Sequence, residues 1–224
     1  MKHRQELVFL FDVDNTLLDN DQVQNELFRH LVRCCGPQAR TRYREIYEEL
    51  RKELGYADYL GALERYRLEN LRDTSLLRMS NWMVDYPFKK RLYPHALQVV
   101  SRLRRWGRVV ILSDGDAVFQ PRKIERSGLW KAFAGNVLIY IHKEEMLADV
   151  EALYPATHYV MIDDKLRILD AMKKVLGDRL TTVFPRQGHY ARDKKALRSY
   201  RPADISVARI GDLLKYEKSD FLGQ

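Results

Sequence analysis

The chain has 224 residues, 46% of them apolar, and a formal net charge of +8. That is enough apolar material for a sizeable core, and no run approaches the about 18 apolar residues that a membrane-spanning helix needs. The two cysteines, Cys34 and Cys35, are adjacent, which excludes a disulfide framework; no Cys or His spacing resembles a zinc site, and a reduced, cytoplasmic setting is expected.

In chain order, the apolar run LVFLF (residues 7–11) predicts a strand covered on both faces, as in a parallel sheet. The basic start before it does not make a signal peptide, because the apolar run is short and ends in carboxylates. From 20 to 90 no strand is predicted. Val23, Leu27 and Leu31 recur at helical spacing up to Gly36-Pro37, and Tyr43, Ile46, Tyr47, Leu50 and Leu54 mark a second helix ending at Gly55. Leu60, Leu63 and Arg67, then LLRMSNWMV, continue the helical pattern. After Leu92-Tyr93-Pro94 strands and helices alternate: a helix from Pro94 to Trp106, strand RVVIL, a helix from Val118 to Arg126, strand VLIYI and helix KEEMLADVEAL. Strand YVMI, helix LRILDAMKKVL, strands TTVF and ISVA, and helix IGDLLKY complete the series. Repeated strand–helix units predict an α/β fold with a Rossmann-like parallel sheet. The expected division is a core of residues 1–19 and 91–224 and a helical insertion of 20–90.

The chemistry gathers at the predicted strand ends. Strand one runs into Asp12 and Asp14, which an extended chain would point the same way. The second ends in ILSDGD with Ser113 and Asp114, Lys143 follows the third, and Asp163 and Asp164 end the fourth. Adjacent buried carboxylates repel, so a cation or a proton must sit among them. Clustered aspartates suit Mg²⁺, a hard ion often held by few carboxylates plus substrate phosphate. A carboxylate beside such an ion can attack phosphorus, a second can exchange a proton with the leaving group and water, and a hydroxyl and an ammonium can hold the phosphoryl oxygens.

The ordered set FDVDNT, ILSDG, Lys143 and MIDDK resembles the haloacid dehalogenase superfamily, in its Mg²⁺-dependent phosphatase branch. The resemblance covers residues 7–18 and about 92–214, and it implies that the 20–90 insertion is a helical cap of the first type. It implies a nucleophile and metal ligand at Asp12 and an acid/base residue at Asp14, whose backbone carbonyl also binds metal. Thr16 would support the turn. Ser113 would bind phosphate through its hydroxyl and Asp114 through its amide, and Lys143 would bridge nucleophile and phosphoryl group. Asp164 ranks above Asp163 as metal ligand; Asp163 would act through water or orient Lys143. Lys143 departs from the frequent Lys-Pro pattern, since Glu144 follows it, and Lys123 competes for its role. Lys123 lies in a helix pattern, however, and is read as a surface residue.

Other polar residues have plainer readings. Asp19, Asn20 and Asp21 precede a helix and are read as N-capping, as is Asp116. His142 and His189 are read as solvated, and Tyr56, Tyr59, Tyr66 and Trp82 as mostly core. The basic runs 89–108 and 186–201 are read as a solvated helix face and a charged loop. Asp14 speaks against dehalogenation, which by the resemblance needs neither a proton donor nor metal. The expectation is a phosphomonoester hydrolase for a small phosphorylated metabolite, without membrane or nucleic-acid partners, working as monomer or homodimer. The alternatives are a phosphomutase of the same family, or a basic nucleic-acid-binding or scaffold protein.

Overall fold

The computed structural model describes residues 5–222; the basic start at 1–4 lies outside the described residues. Six strands form one all-parallel sheet in the order β3-β2-β1-β4-β5-β6. They are β1 (Gln5–Phe11), β2 (Arg108–Asp114), β3 (Val137–Tyr140), β4 (Ala156–Ile162), β5 (Leu180–Pro185) and β6 (Ile205–Val207). Because β2 and β3 extend one side of β1 and β4 to β6 the other, the connections diverge around β1. The crevice beyond its carboxyl end is where open α/β sheets bind ligands.

Between β1 and β2 the chain forms α1 (Asn20–Cys35), α2 (Pro37–Leu54), α3 (Tyr59–Glu69) and α4 (Ser75–Asp85). Asp19 caps α1, its Oδ1 accepting from the Gln22 amide at 3.0 Å. Gly55, at φ 81°, closes α2 in the left-handed conformation that glycine adopts without strain. Helix α5 (Ala96–Leu103) leads into β2, and after that strand come α6 (Phe119–Ser127), α7 (Leu129–Ala132), α8 (Leu147–Leu153), α9 (Leu166–Leu176) and α10 (Lys194–Ser199). The predicted helices at 143–153 and 210–216 are in part 3-10 turns, at Lys143–Glu145 and Ile210–Lys215.

Odd and even residues of β1 feed opposite sheet faces. Val8 and Leu10 join the cluster against α8 and α9, whereas Leu7, Phe9 and Phe11 join a larger one. That larger cluster continues without a break into Val23, Leu31, Tyr43 and Tyr59 of the insertion. Phe119 sits at the junction, 2% exposed, with ring centroids 5.5 Å from Tyr59 and 5.7 Å from Phe88. Removing such a ring leaves a cavity the surroundings only partly fill. Phe119→Ala is therefore expected to lower unfolding free energy by about 3–5 kcal/mol, read from the denaturant midpoint. No helix among the described residues is long and apolar enough to cross a membrane.

Candidate active site

The sheet register assembles the site. Phe11 pairs with Ile111 on one side and Ile162 on the other, so the next residues, Asp12, Leu112 and Asp163, come level. Asp12 is 2% exposed, and Asp163 and Asp164 are fully buried. One oxygen from each of the three lies within 4.8 Å of the others. Lys143, also fully buried, reaches in from the turn after β3. Its Nζ donates to Asp12 Oδ1 at 2.6 Å and to the Leu112 carbonyl at 3.2 Å, and lies 2.7 Å from Asp163 Oδ2. Its amide donates to Asp114 Oδ1 at 2.8 Å, so the Asp114 side chain anchors the turn that carries the lysine.

The charges do not balance. Asp12 Oδ2 and both oxygens of Asp164 are buried without a hydrogen-bond partner. Asp163, by contrast, is engaged twice, with Oδ1 accepting from the Lys165 amide at 2.8 Å and Oδ2 paired to Lys143. Burial is the largest influence on Asp163, Asp164, Lys143 and Lys165. It holds the Asp163 and Asp164 carboxyls above their ordinary range, against the pull of Lys143 and Lys165. It opposes the charge on both lysines too, but the surrounding carboxylates outweigh it and keep them protonated. Three orphaned oxygens of Asp12 and Asp164, gathered in one small space, fit a hard divalent cation, and Mg²⁺ takes such a donor set. Thr16 braces the cluster: its Oγ1 accepts from the Asp164 amide at 3.1 Å, tying the β4 end to the loop after β1.

Asp12 and Asp14 do not point the same way. Strand β1 stops at Phe11, the amides of Leu17 and Leu18 turn back to the Val13 carbonyl at 2.9 and 3.0 Å, and Asn15 adopts φ 60°. Strand alternation therefore no longer governs Asp14, whose carboxylate faces a separate lysine. Lys123 Nζ donates to Asp14 Oδ1 and Oδ2 at 2.7 and 2.8 Å. The reading of Lys123 as a surface residue fails, since it is 1% exposed. Phe119, Gln120, Lys123, Ile124 and Ser127 are the buried face of α6, and Lys123 lies four residues from both Phe119 and Ser127. That spacing was the available signal.

Ser113, next to last in β2, is 1% exposed, its Oγ accepting from Gln120 Nε2 at 2.9 Å. Asp116 accepts from the amides of Val118 and Phe119 at 2.8 and 2.6 Å in the turn before α6, whose N-cap position is Val118. Asp21 does not cap; it accepts from Asn15 Nδ2 at 2.9 Å and from His189 Nδ1 at 2.7 Å. His189 is thus partnered, though exposed. His142 lies against the α2–α3 turn, where a Cβ on Gly55 would come within 2.4 Å of its ring.

A cavity of about 740 Å³ lies between the insertion and the strand ends. Its wall includes Asp14, Asn20, Arg51, Tyr59, Lys165 and Tyr190. Arg51 on α2 donates to the Tyr190 hydroxyl across the cavity. Lys165, missed in the sequence reading, lies 5.3 Å from the Tyr190 ring centroid and feels the field of Asp12, Asp163 and Asp164.

Six parallel strands with a buried cluster of aspartates at their switch point define an open α/β fold with a charged site. The chain belongs to the haloacid dehalogenase-like hydrolases, whose family signature spans residues 7–175. A haloacid dehalogenase-like hydrolase from Burkholderia xenovorans LB400 is 62% identical, with 96% of this chain and 98% of that one covered and a TM-score of 0.92. Two more distant structures share the fold. The HAD hydrolase YfnB from Bacillus subtilis, bound to magnesium, is 17% identical over 95% of this chain and 98% of that one, with a TM-score of 0.64. L-2-haloacid dehalogenase from Xanthobacter autotrophicus, with chloropropionic acid covalently bound, is 20% identical over 93% and 96%, with a TM-score of 0.59. No curated protein matches the chain.

Proposed function

We propose that the protein is a Mg²⁺-dependent phosphomonoester hydrolase that acts through an aspartyl-phosphate on Asp12, with the helical insertion serving as a cap that selects a small phosphorylated metabolite. The observation that carries this reading is the set of orphaned oxygens on Asp12 and Asp164, which call for a cation, beside a second carboxylate, Asp14, at the cavity wall. Hydrolysis of a carbon–halogen bond has no use for that second carboxylate, because a halide leaves without a proton.

Asp12, Asp164 and the backbone carbonyl of Asp14 would hold Mg²⁺, with Asp163 contributing directly or through water. When bound, the ion supplies charge that screens the carboxylates from one another and from the phosphoryl group. Lys143 fixes the Asp12 carboxylate through Oδ1 in the orientation from which it attacks phosphorus, and the unpartnered Oδ2 is the oxygen left for the cation. The same ammonium offsets charge that develops on the phosphoryl oxygens, and Ser113 and the Asp114 amide complete the cradle. Asp14 gives a proton to the leaving oxygen and later takes one from water. The insertion excludes water during the first step.

Asp14→Asn is expected to lower kcat/KM for alkyl phosphates by roughly 10²–10⁴-fold, with a much smaller loss of kcat/KM on p-nitrophenyl phosphate, whose leaving group needs no proton. Equal losses on both would remove the acid/base role from Asp14. The reading as a whole is tested by assaying p-nitrophenyl phosphate and 2-chloropropionate side by side, with chelator and then with excess Mg²⁺. Phosphate release that stops with chelator and returns with Mg²⁺ is expected. Chloride release indifferent to chelator, with no phosphate release, would make the protein a dehalogenase instead.

A further inference from the structure

We infer that Lys123 is a positioning residue that holds the Asp14 carboxylate at the cavity wall, apart from the Asp12–Asp163–Asp164 cluster, in the orientation from which it meets the substrate. The inference rests on the phosphatase reading of the site. An ammonium has three N–H donors, and all three of Lys123 have acceptors: Asp14 Oδ1 at 2.7 Å, Asp14 Oδ2 at 2.8 Å and Asn20 Oδ1 at 3.2 Å. The rings of Phe119 and Tyr59 flank the nitrogen, at 5.6 and 5.9 Å to their centroids. No donor is left for a phosphoryl oxygen or a leaving group, so Lys123 acts on the reaction through Asp14 rather than on the substrate.

Asp14 needs such a partner. It leaves the chain two residues after Asp12, and three buried carboxylates already share one small space. A fourth drawn among them would add repulsion and would compete for the cation they fit. Lys123 and Lys143 divide the opening pair: one lysine fixes Asp12 over the cluster, the other turns Asp14 to the cavity. Lys123 also joins three parts of the chain. Its own helix, α6, belongs to the core, Asp14 lies on the loop after β1, and Asn20 starts the insertion and donates in turn to the Tyr59 hydroxyl at 3.1 Å. The carboxylate is thereby set relative to the insertion that walls the cavity.

A lysine that only stabilises the fold would lower activity on all substrates together. A positioning lysine changes their ratio. The test compares Lys123→Met and Lys123→Arg with the wild type on p-nitrophenyl phosphate and β-glycerophosphate with Mg²⁺, and adds a crystal structure of Lys123→Gln. In Lys123→Met, kcat/KM for β-glycerophosphate, which reports the leaving-group step, is expected to fall roughly 10²-fold more than kcat/KM for p-nitrophenyl phosphate. Lys123→Arg should recover most of the lost ratio, since a guanidinium can engage both carboxylate oxygens. In the Lys123→Gln crystals the Asp14 carboxylate should leave the α6 wall. Equal fractional losses on the two esters, or full activity on both, would overturn the inference. If the wild type hydrolyses neither ester, the phosphatase reading fails on its own, and an unmoved Asp14 in Lys123→Gln then overturns the positioning role independently of activity.

Discussion

Asp12→Asn is expected to reduce phosphomonoester hydrolysis to background for every substrate, a loss on the order of 10⁴-fold or more. The two oxygens of Asp12 are not equivalent. Oδ1 is held by Lys143 at 2.6 Å, while Oδ2 is buried without a hydrogen-bond partner. Lysine and cation together leave the carboxylate fixed for attack. An amide in the same place keeps the shape but carries no lone pair able to form an acyl phosphate at neutral pH. Leaving-group quality cannot compensate for this, because the step that fails is attack on phosphorus. The substitution also removes one of three crowded carboxylates, so without metal the unfolding midpoint is expected to stay level or rise. A folded Asp12→Asn variant retaining a tenth of wild-type turnover on p-nitrophenyl phosphate would show that another group attacks.

Lys143→Met is expected to abolish activity and to destabilise the fold by about 3–5 kcal/mol, the usual cost of removing one partner from a buried ion pair. Lys165 shares the field of Asp12 and Asp163 but does not make the contacts that Lys143 makes. Lys143 is fully buried and lies 2.6 Å from Asp12 Oδ1 and 2.7 Å from Asp163 Oδ2, so its removal leaves both carboxylates uncompensated. A cation that binds the same carboxylates should restore part of the loss, because binding to the folded state alone adds stability. The unfolding midpoint of Lys143→Met should therefore rise more on adding Mg²⁺ than that of the wild type. Denaturation of both proteins with and without Mg²⁺ measures the difference. A midpoint equal to the wild type's in chelator would mean that Lys143 is not carrying the charge balance of the site.

The residues at strand ends were legible because two sequence signals coincide there. A continuous apolar run stops, and a carboxylate follows, so Asp12, Asp114, Asp163 and Asp164 could be placed at one edge of a parallel sheet before any coordinates. The helices of the insertion announced themselves through Val23, Leu27 and Leu31 and through Tyr43, Tyr47 and Leu50, all buried. What escaped depends on three-dimensional context. The direction of Asp14 turns on where β1 ends, and a tight turn with Asn15 at φ 60° is not encoded in hydrophobic periodicity. Lys123 was hidden by its charge: on composition a lysine belongs to the surface, and only its phase on α6 places it with Phe119 and Ile124. The short α10 lies in a charged stretch with no apolar stripe to reveal it. Continuity of the core between insertion and sheet was also invisible, since it rests on contacts such as Tyr59 with Phe119, sixty residues apart in the chain.

The most direct test of the central claim is to trap the intermediate. Rapid acid quench of the enzyme with Mg²⁺ and p-nitrophenyl phosphate, followed by mass analysis of the peptide containing Asp12 and Asp14, should reveal one added phosphoryl group on Asp12. Asp14→Asn should raise its occupancy, because the base that hydrolyses it is gone, and Asp12→Asn should eliminate it. Turnover of phosphomonoesters with no phosphoryl group on that peptide in any of the three proteins would contradict the account.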